Sequence, residues 1–154
     1  MNLSDAGLAA IEEREGRRLT MYLDKAQNPT IGVGHLLTPD EIDSGLVLGQ
    51  AWQDGISQDT CDALLRADSA TAVNAVNELV TVPLLQHQFD TLVSFVFNIG
   101  RGKFSTSTLL RSLNNDQFVL VPDELRQWVH SGGHLDPILV TRRESEIRQW
   151  EGAE

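Results

Sequence analysis

Two carboxylates and a hydroxyl, Glu15, Asp24 and Thr30, fall within one short stretch of the chain. A pair of acids held in different surroundings can divide the labour of proton transfer, one donating while the other stays ionised. Glu15 lies where a helix should end. Ser4 is an N-cap candidate, Leu3 and Leu8 fit a hydrophobic staple around it, and Gly16 is a natural C-terminal stop. An acid in the last turn meets the negative end of the helix dipole, a setting that favours the neutral form a proton donor needs. Taken alone, Glu15 reads equally as one more surface acid of Glu12-Glu13-Arg14-Glu15.

The elements that must position these groups follow directly. Leu19, Met21 and Leu23 alternate with Thr20, Tyr22 and Asp24, the period of a strand. Lys25-Ala26-Gln27-Asn28-Pro29 is turn chemistry, and Thr30 to His35 alternates again, which predicts one continuous second strand. Residues flanking the mouth of such a hairpin lie side by side, so Asp24 is expected to face Thr30. Gly32 and Gly34 weaken a strand and suggest a close approach to the backbone.

The spacing Glu15, Asp24, Thr30, followed by Ile31-Gly32-Val33-Gly34-His35, resembles the phage-type lysozymes of glycoside hydrolase family 24. Similar stretches are Gln88 to Gly100 and Phe104 to Arg111, and the resemblance runs over residues 3–37 and 56–150. It implies a peptidoglycan hydrolase that cleaves the β-1,4 bond between N-acetylmuramic acid and N-acetylglucosamine with inversion. Glu15 would protonate the glycosidic oxygen, while Asp24 and Thr30 would hold and activate the attacking water. It further assigns Leu36, Phe97 and Ser107 to substrate binding, although 105–108 offers several hydroxyls and Phe97 reads equally as core. His35 would pair with Asp68 in a structural ion pair; the alternative is a solvated Asp68. Arg142 would reach toward Glu15. Where these lysozymes carry Gly-Leu before the paired arginines, this chain has Asp136-Pro137-Ile138, a departure that touches the loop and not Arg142-Arg143 or Glu146.

The rest of the sequence bounds these expectations. With 154 residues, 41% hydrophobic and 22% charged, the chain suits one globular domain. Lys plus Arg number 12 against 22 Asp plus Glu, a net charge of −10 that disfavours nucleic acid and predicts poor electrostatic adsorption to anionic walls. The single Cys61 excludes an intramolecular disulfide and reads as a buried small hydrophobe. His130 and His134 bracket Gly132-Gly133, so they do not share a helical face, and no ligand set completes them: neither metal nor cofactor is expected. Trp52, Trp128 and Trp150 are expected to be buried more readily than stacked on sugars. The N-terminus carries no export signal and the apolar run 92–99 is too short to span a bilayer.

The expected fold is α+β and mostly α, the resemblance implying two lobes. A small β-hairpin lobe, about 14–56, would be joined by a helix, 57–80, to a helical lobe, 81–154 with 1–13. Ser57 caps that helix, with Cys61, Leu64, Leu65, Asp68, Ala72, Ala75, Val76 and Leu79 at helical spacing. Thr38-Pro39-Asp40-Glu41 reads as a helix start, and 38–55 is otherwise mixed. A helix from Pro122 through Leu125, Trp128 and Val129 should end at Gly132-Gly133, and Asp136-Pro137 should open the last one. The setting implied is phage lysis: a monomer held in the host cytoplasm until a separate membrane-pore protein admits it to the wall. Alternatives are a lytic transglycosylase, and an inactive module that only binds the wall.

Overall fold

The computed structural model describes residues 1–153 and is α+β, mostly α. Contacts divide the chain into two compact units, Leu8–Ala70 and Met1–Gly7 with the chain from Thr71 onward. Helix α3, Gln58–Leu79, runs through the division and contributes to both. Its 22 residues start where Ser57 Oγ accepts the Thr60 amide at 3.1 Å, as the capping reading requires.

The 8–70 unit carries most of α1, Asp5–Glu15, and a three-stranded antiparallel sheet of β1, Arg18–Leu23, β2, Pro29–Gly32, and β3, His35–Leu36, in that order. The second strand is therefore not continuous to His35. Gly32 and Gly34 adopt φ of 68° and 69°, which reverses the chain around the buried Val33 and pairs Ile31 with His35. Alternating residues continue through the turn, so periodicity alone could not see it. Segment 38–55 resolves into helix α2, Pro39–Ser44, and a hairpin of β4, Leu46–Val47, and β5, Gln50–Ala51. Thr38 and Glu41 form a reciprocal capping box, and the Trp52 indole donates to the Glu41 carbonyl at 2.9 Å. Ile11, Ile31, Val33, Leu37, Val47, Ile56, Cys61, Leu64 and Leu65 are all buried.

The other unit has α4, Gln86–Ile99, as its buried element, with Phe89 through Val96 sequestered on every side. Around it come α5, Arg101–Ser105, α6, Thr108–Asn114, a 3-10 turn at Phe118–Leu120, α7, Val121–Arg126, and α8, Pro137–Trp150. Phe95 packs edge-on against Phe104 and Trp128 at ring separations of 6.4 and 5.6 Å. The α7 helix stops at Arg126, short of the expected Gly132. Trp128 and Val129 lead instead into a hairpin of β6, His130–Ser131, and β7, His134–Leu135, whose two-residue Gly132-Gly133 loop has φ of 57° and 80°. Two left-handed residues in sequence make the hairpin turn that suits twisted strands, and only Gly takes it without strain.

Candidate functional site

Glu15 is the last residue of α1 and is exposed. The helix ends because Gly16 turns left-handed, φ 80°, with its N–H on Glu12 O at 2.9 Å. The next residue is fixed by side chains the sequence did not single out. Arg17 Nη1 donates to Glu12 Oε1 at 3.0 Å and to Gln58 Oε1, and Gln58 Nε2 donates to Asp62 Oδ1 at 2.6 Å. The step from α1 into β1 is thereby tied to the start of α3.

Asp24 sits just past β1 and governs the turn that follows. Its Oδ1 accepts the backbone amides of Ala26 and Asn28 at 2.9 and 2.8 Å, while Oδ2 has one long contact, 3.4 Å, from the Asn28 side chain. The peptide of Gln27 closes a turn on Asp24 O at 2.9 Å, with Gln27 at φ 65°. This is a three-residue hairpin loop with its last residue left-handed, stabilised by an aspartate bonding ahead to its own backbone. Thr30 is 2% exposed, and its hydroxyl donates to Asn28 O at 2.9 Å. The cross-strand partner of Thr30 is Tyr22, not Asp24, because Asp24 N pairs with Asn28 O at 3.0 Å. The two residues are linked through Asn28 rather than facing one another.

Behind them, His35 Nδ1 lies 2.8 Å from Asp68 Oδ2 and Nε2 lies 2.8 Å from Glu41 Oε1. The pairing with Asp68 is present, and Glu41 is a second acid that sequence spacing did not single out. These carboxylates, Asp68 foremost, hold the imidazolium so that its pKa rises to about 9 in spite of burial. The Glu41 carboxyl is held below its ordinary value; burial opposes this, and the Thr38 amide and His35 outweigh it. Leu36, 52% exposed, stands opposite Thr30 on β3.

Within the other unit, Phe97 is half-buried near the end of α4. Ser107 departs from its expected role: it is 6% exposed, and its hydroxyl donates to Phe104 O at 2.7 Å while accepting the Leu110 amide at 3.1 Å as the N-cap of α6. A hydroxyl engaged on both sides cannot meet a substrate without breaking the cap. Arg142 is buried, with Nε on Glu146 Oε1 at 3.2 Å and Nη2 on Ser94 O at 3.2 Å. His130 and His134 are exposed on the β6–β7 hairpin, and no cluster of potential metal ligands occurs among the described residues.

Residues 12–146 match the phage lysozyme family. The endolysin of Salmonella phage P22 is 37% identical over 145 residues, which are 93% of this chain and 94% of that protein. A crystal structure of a mutant P22 lysozyme superimposes with a TM-score of 0.81 at 34% identity, covering 96% of this chain and 97% of that one. The muramidase domain of SpmX from Asticaccaulis excentricus superimposes with a TM-score of 0.79 at 32% identity, covering 97% of each chain.

Proposed function

The chain belongs to the phage lysozyme family, and we propose that it hydrolyses the β-1,4 bond between N-acetylmuramic acid and N-acetylglucosamine in bacterial peptidoglycan. Glu15 is the proton donor, and Asp24 and Thr30 position and activate water. Endolysin and muramidase are the names its relatives carry, and both fit this substrate.

One observation supports the division of roles: the hydrogen-bond directions in the 24–30 turn. Oδ1 of Asp24 is engaged by two short backbone bonds, which fixes the carboxylate plane and leaves Oδ2 with only the long Asn28 contact among the described residues. The proton of Thr30 Oγ1 is directed to Asn28 O, so toward any further partner this oxygen is an acceptor. A water between the two oxygens donates one proton to each, and its lone pair is left for the anomeric carbon. As the water attacks, its proton passes to Asp24, the C1–O bond breaks, and the proton of Glu15 goes to the departing oxygen. Inversion by this route needs the two carboxyl groups about 6.5–9.5 Å apart, room for that water. Leu36 and Phe97 offer apolar surface to the sugar rings.

Access to the wall depends on a separate pore-forming protein in this reading; no helix among the described residues is long and apolar enough to cross a membrane. Digestion of purified wall followed by mass analysis and anomer detection tests the proposal. Hydrolysed, inverted muramic acid ends are expected, with Glu15→Gln and Asp24→Asn each slower by about 10²–10⁴-fold. Products with 1,6-anhydro ends would identify a transglycosylase instead. Wall binding without cleavage would mark an inactive module.

A further inference from the structure

We propose that Arg143, held by Glu146, is a positioning residue for glycan binding: its guanidinium orients the Asn98 carboxamide at the end of α4 and anchors the root of the β6–β7 hairpin. This rests on the reading of the protein as a peptidoglycan hydrolase.

The arrangement is unusual for a core. Arg143 is 1% exposed and Glu146 is fully buried, at 0%. Arg143 directs three nitrogens to three elements: Nε to Trp128 O at 2.9 Å, Nη1 to Glu146 Oε2 at 2.5 Å, and Nη2 to Asn98 Oδ1. Its guanidinium lies over the Phe95 ring at 4.9 Å, and Phe95 meets Trp128 edge-on, so Trp128 is held through both its backbone and its ring. The other oxygen of Glu146 accepts Ser94 Oγ at 2.9 Å and Arg142 Nε at 3.2 Å.

Stability alone does not explain such a cluster, because well-packed apolar side chains of similar volume commonly match or exceed a buried ion pair. What the cluster supplies is orientation. An arginine has donors and no acceptor, so its contact with Asn98 fixes which end of that amide is oxygen. The Oδ1 faces Arg143, and the exposed Nδ2 is turned away from it with two N–H groups. Those donors suit an acceptor oxygen, a hydroxyl or an acetamido carbonyl, on a glycan. Lysine at 143 would keep the charge but lose the planar fork that reaches three acceptors together.

The test measures affinity of the full-length protein for a soluble peptidoglycan glycan fragment, in a Glu15→Gln background so that binding is read without turnover. Asn98→Ala and Arg143→Lys should each weaken binding about tenfold, and the double variant should be no weaker than either single one. The Asn98 side-chain amide signal in a nitrogen-edited NMR spectrum should shift in Arg143→Lys, a change a remote packing role would not produce. Unchanged affinity in a folded Arg143→Lys, or losses that simply add, would overturn the proposal. If Arg143→Lys fails to fold, Glu146→Gln keeps the side-chain size and should reproduce the coupling; affinity unchanged there overturns it as well. Absence of glycan binding by the parent protein also overturns it. The hydrolase reading fails separately: glycan bound normally by the native chain, with no bond cleaved in it.

Discussion

Asp24 and Thr30 donate to the same carbonyl oxygen, that of Asn28, the backbone amide of Asp24 at 3.0 Å and the hydroxyl of Thr30 at 2.9 Å. One backbone residue thus sets the relative placement of both proposed water ligands. Thr30→Val is nearly isosteric and removes the acceptor oxygen while leaving the Asp24 bond to Asn28 in place. Turnover should fall about 10²-fold with KM little changed, and the melting temperature should move only by what one neutral hydrogen bond is worth, ~1 kcal/mol. Thr30→Ser should restore most of the rate. Steady-state kinetics on a soluble oligosaccharide decide it, and a loss under threefold for the valine variant would remove Thr30 from the mechanism.

His35 joins β3 to α2 and α3 through two carboxylates, and its proton is linked to folding. Its folded pKa, about 9, lies above the ordinary 6.5, so the stability it contributes is fully present below pH 6.5 and fades as pH rises through 9. Glu41 has the opposite sign: its lowered pKa contributes above its ordinary 4.5 and is lost as the medium acidifies below that. A shift of this size would be worth roughly 3 kcal/mol if fully shielded, and with the Asp68 side chain 30% open to solvent about 1–2 kcal/mol is expected. Urea unfolding from pH 5 to 10 should show a decline above pH 6.5 that is absent in His35→Asn. Parallel curves for the two proteins would refute the linkage.

The parts of the molecule visible in the sequence are those set by local rules. Ser57, Gly16 and Asp136 mark helix ends because capping is decided within a few residues, and Asp68 drew notice as an acid on an otherwise apolar stripe. Glu41 escaped notice because a capping-box glutamate already has a local use; its second use requires His35 to be folded against it. The break at Val33-Gly34 was hidden since alternation persists through a tight turn. Gly132-Gly133 was misassigned for a related reason: a glycine pair ends a helix as readily as it turns a hairpin, and Trp128 and Val129 prolong the helical period by chance. Between Arg142 and Arg143, adjacent and chemically identical, nothing but packing shows which one reaches Asn98 and Trp128.

Gly7 offers a case where the usual sign of a substitution reverses. It lies inside α1, where exchange of glycine for alanine ordinarily stabilises by nearly 1 kcal/mol. Here an added Cβ would stand 2.6 Å from Asp90 Cγ and 2.7 Å from Leu3 Cδ1. Asp90 cannot swing aside cheaply, because it is 2% exposed and accepts the Ser4 amide at 3.1 Å and the Gln86 side chain at 2.8 Å. Gly7→Ala should therefore destabilise by roughly 1–3 kcal/mol, the range for overpacking a tight site. Thermal unfolding at fixed pH gives the answer directly: a raised melting temperature would show that Asp90 yields.

Ser107 separates a structural hydroxyl from a substrate-binding one. Its oxygen accepts the Leu110 amide at 3.1 Å, one of the orphan donors at the start of α6, and its proton goes to Phe104 O at 2.7 Å. Ser107→Ala should lower stability by about 1 kcal/mol, the usual value of an N-cap, and should leave KM for glycan within twofold. Ser107→Asp retains an acceptor and adds a negative charge at the helix start, which favours the helix but must be accommodated where the residue is 6% exposed. It should fall below the native protein and recover little over alanine. Kinetics at a temperature where all three proteins are folded distinguish the roles. A tenfold rise in KM for the alanine variant, with its melting temperature unmoved, would return Ser107 to the substrate.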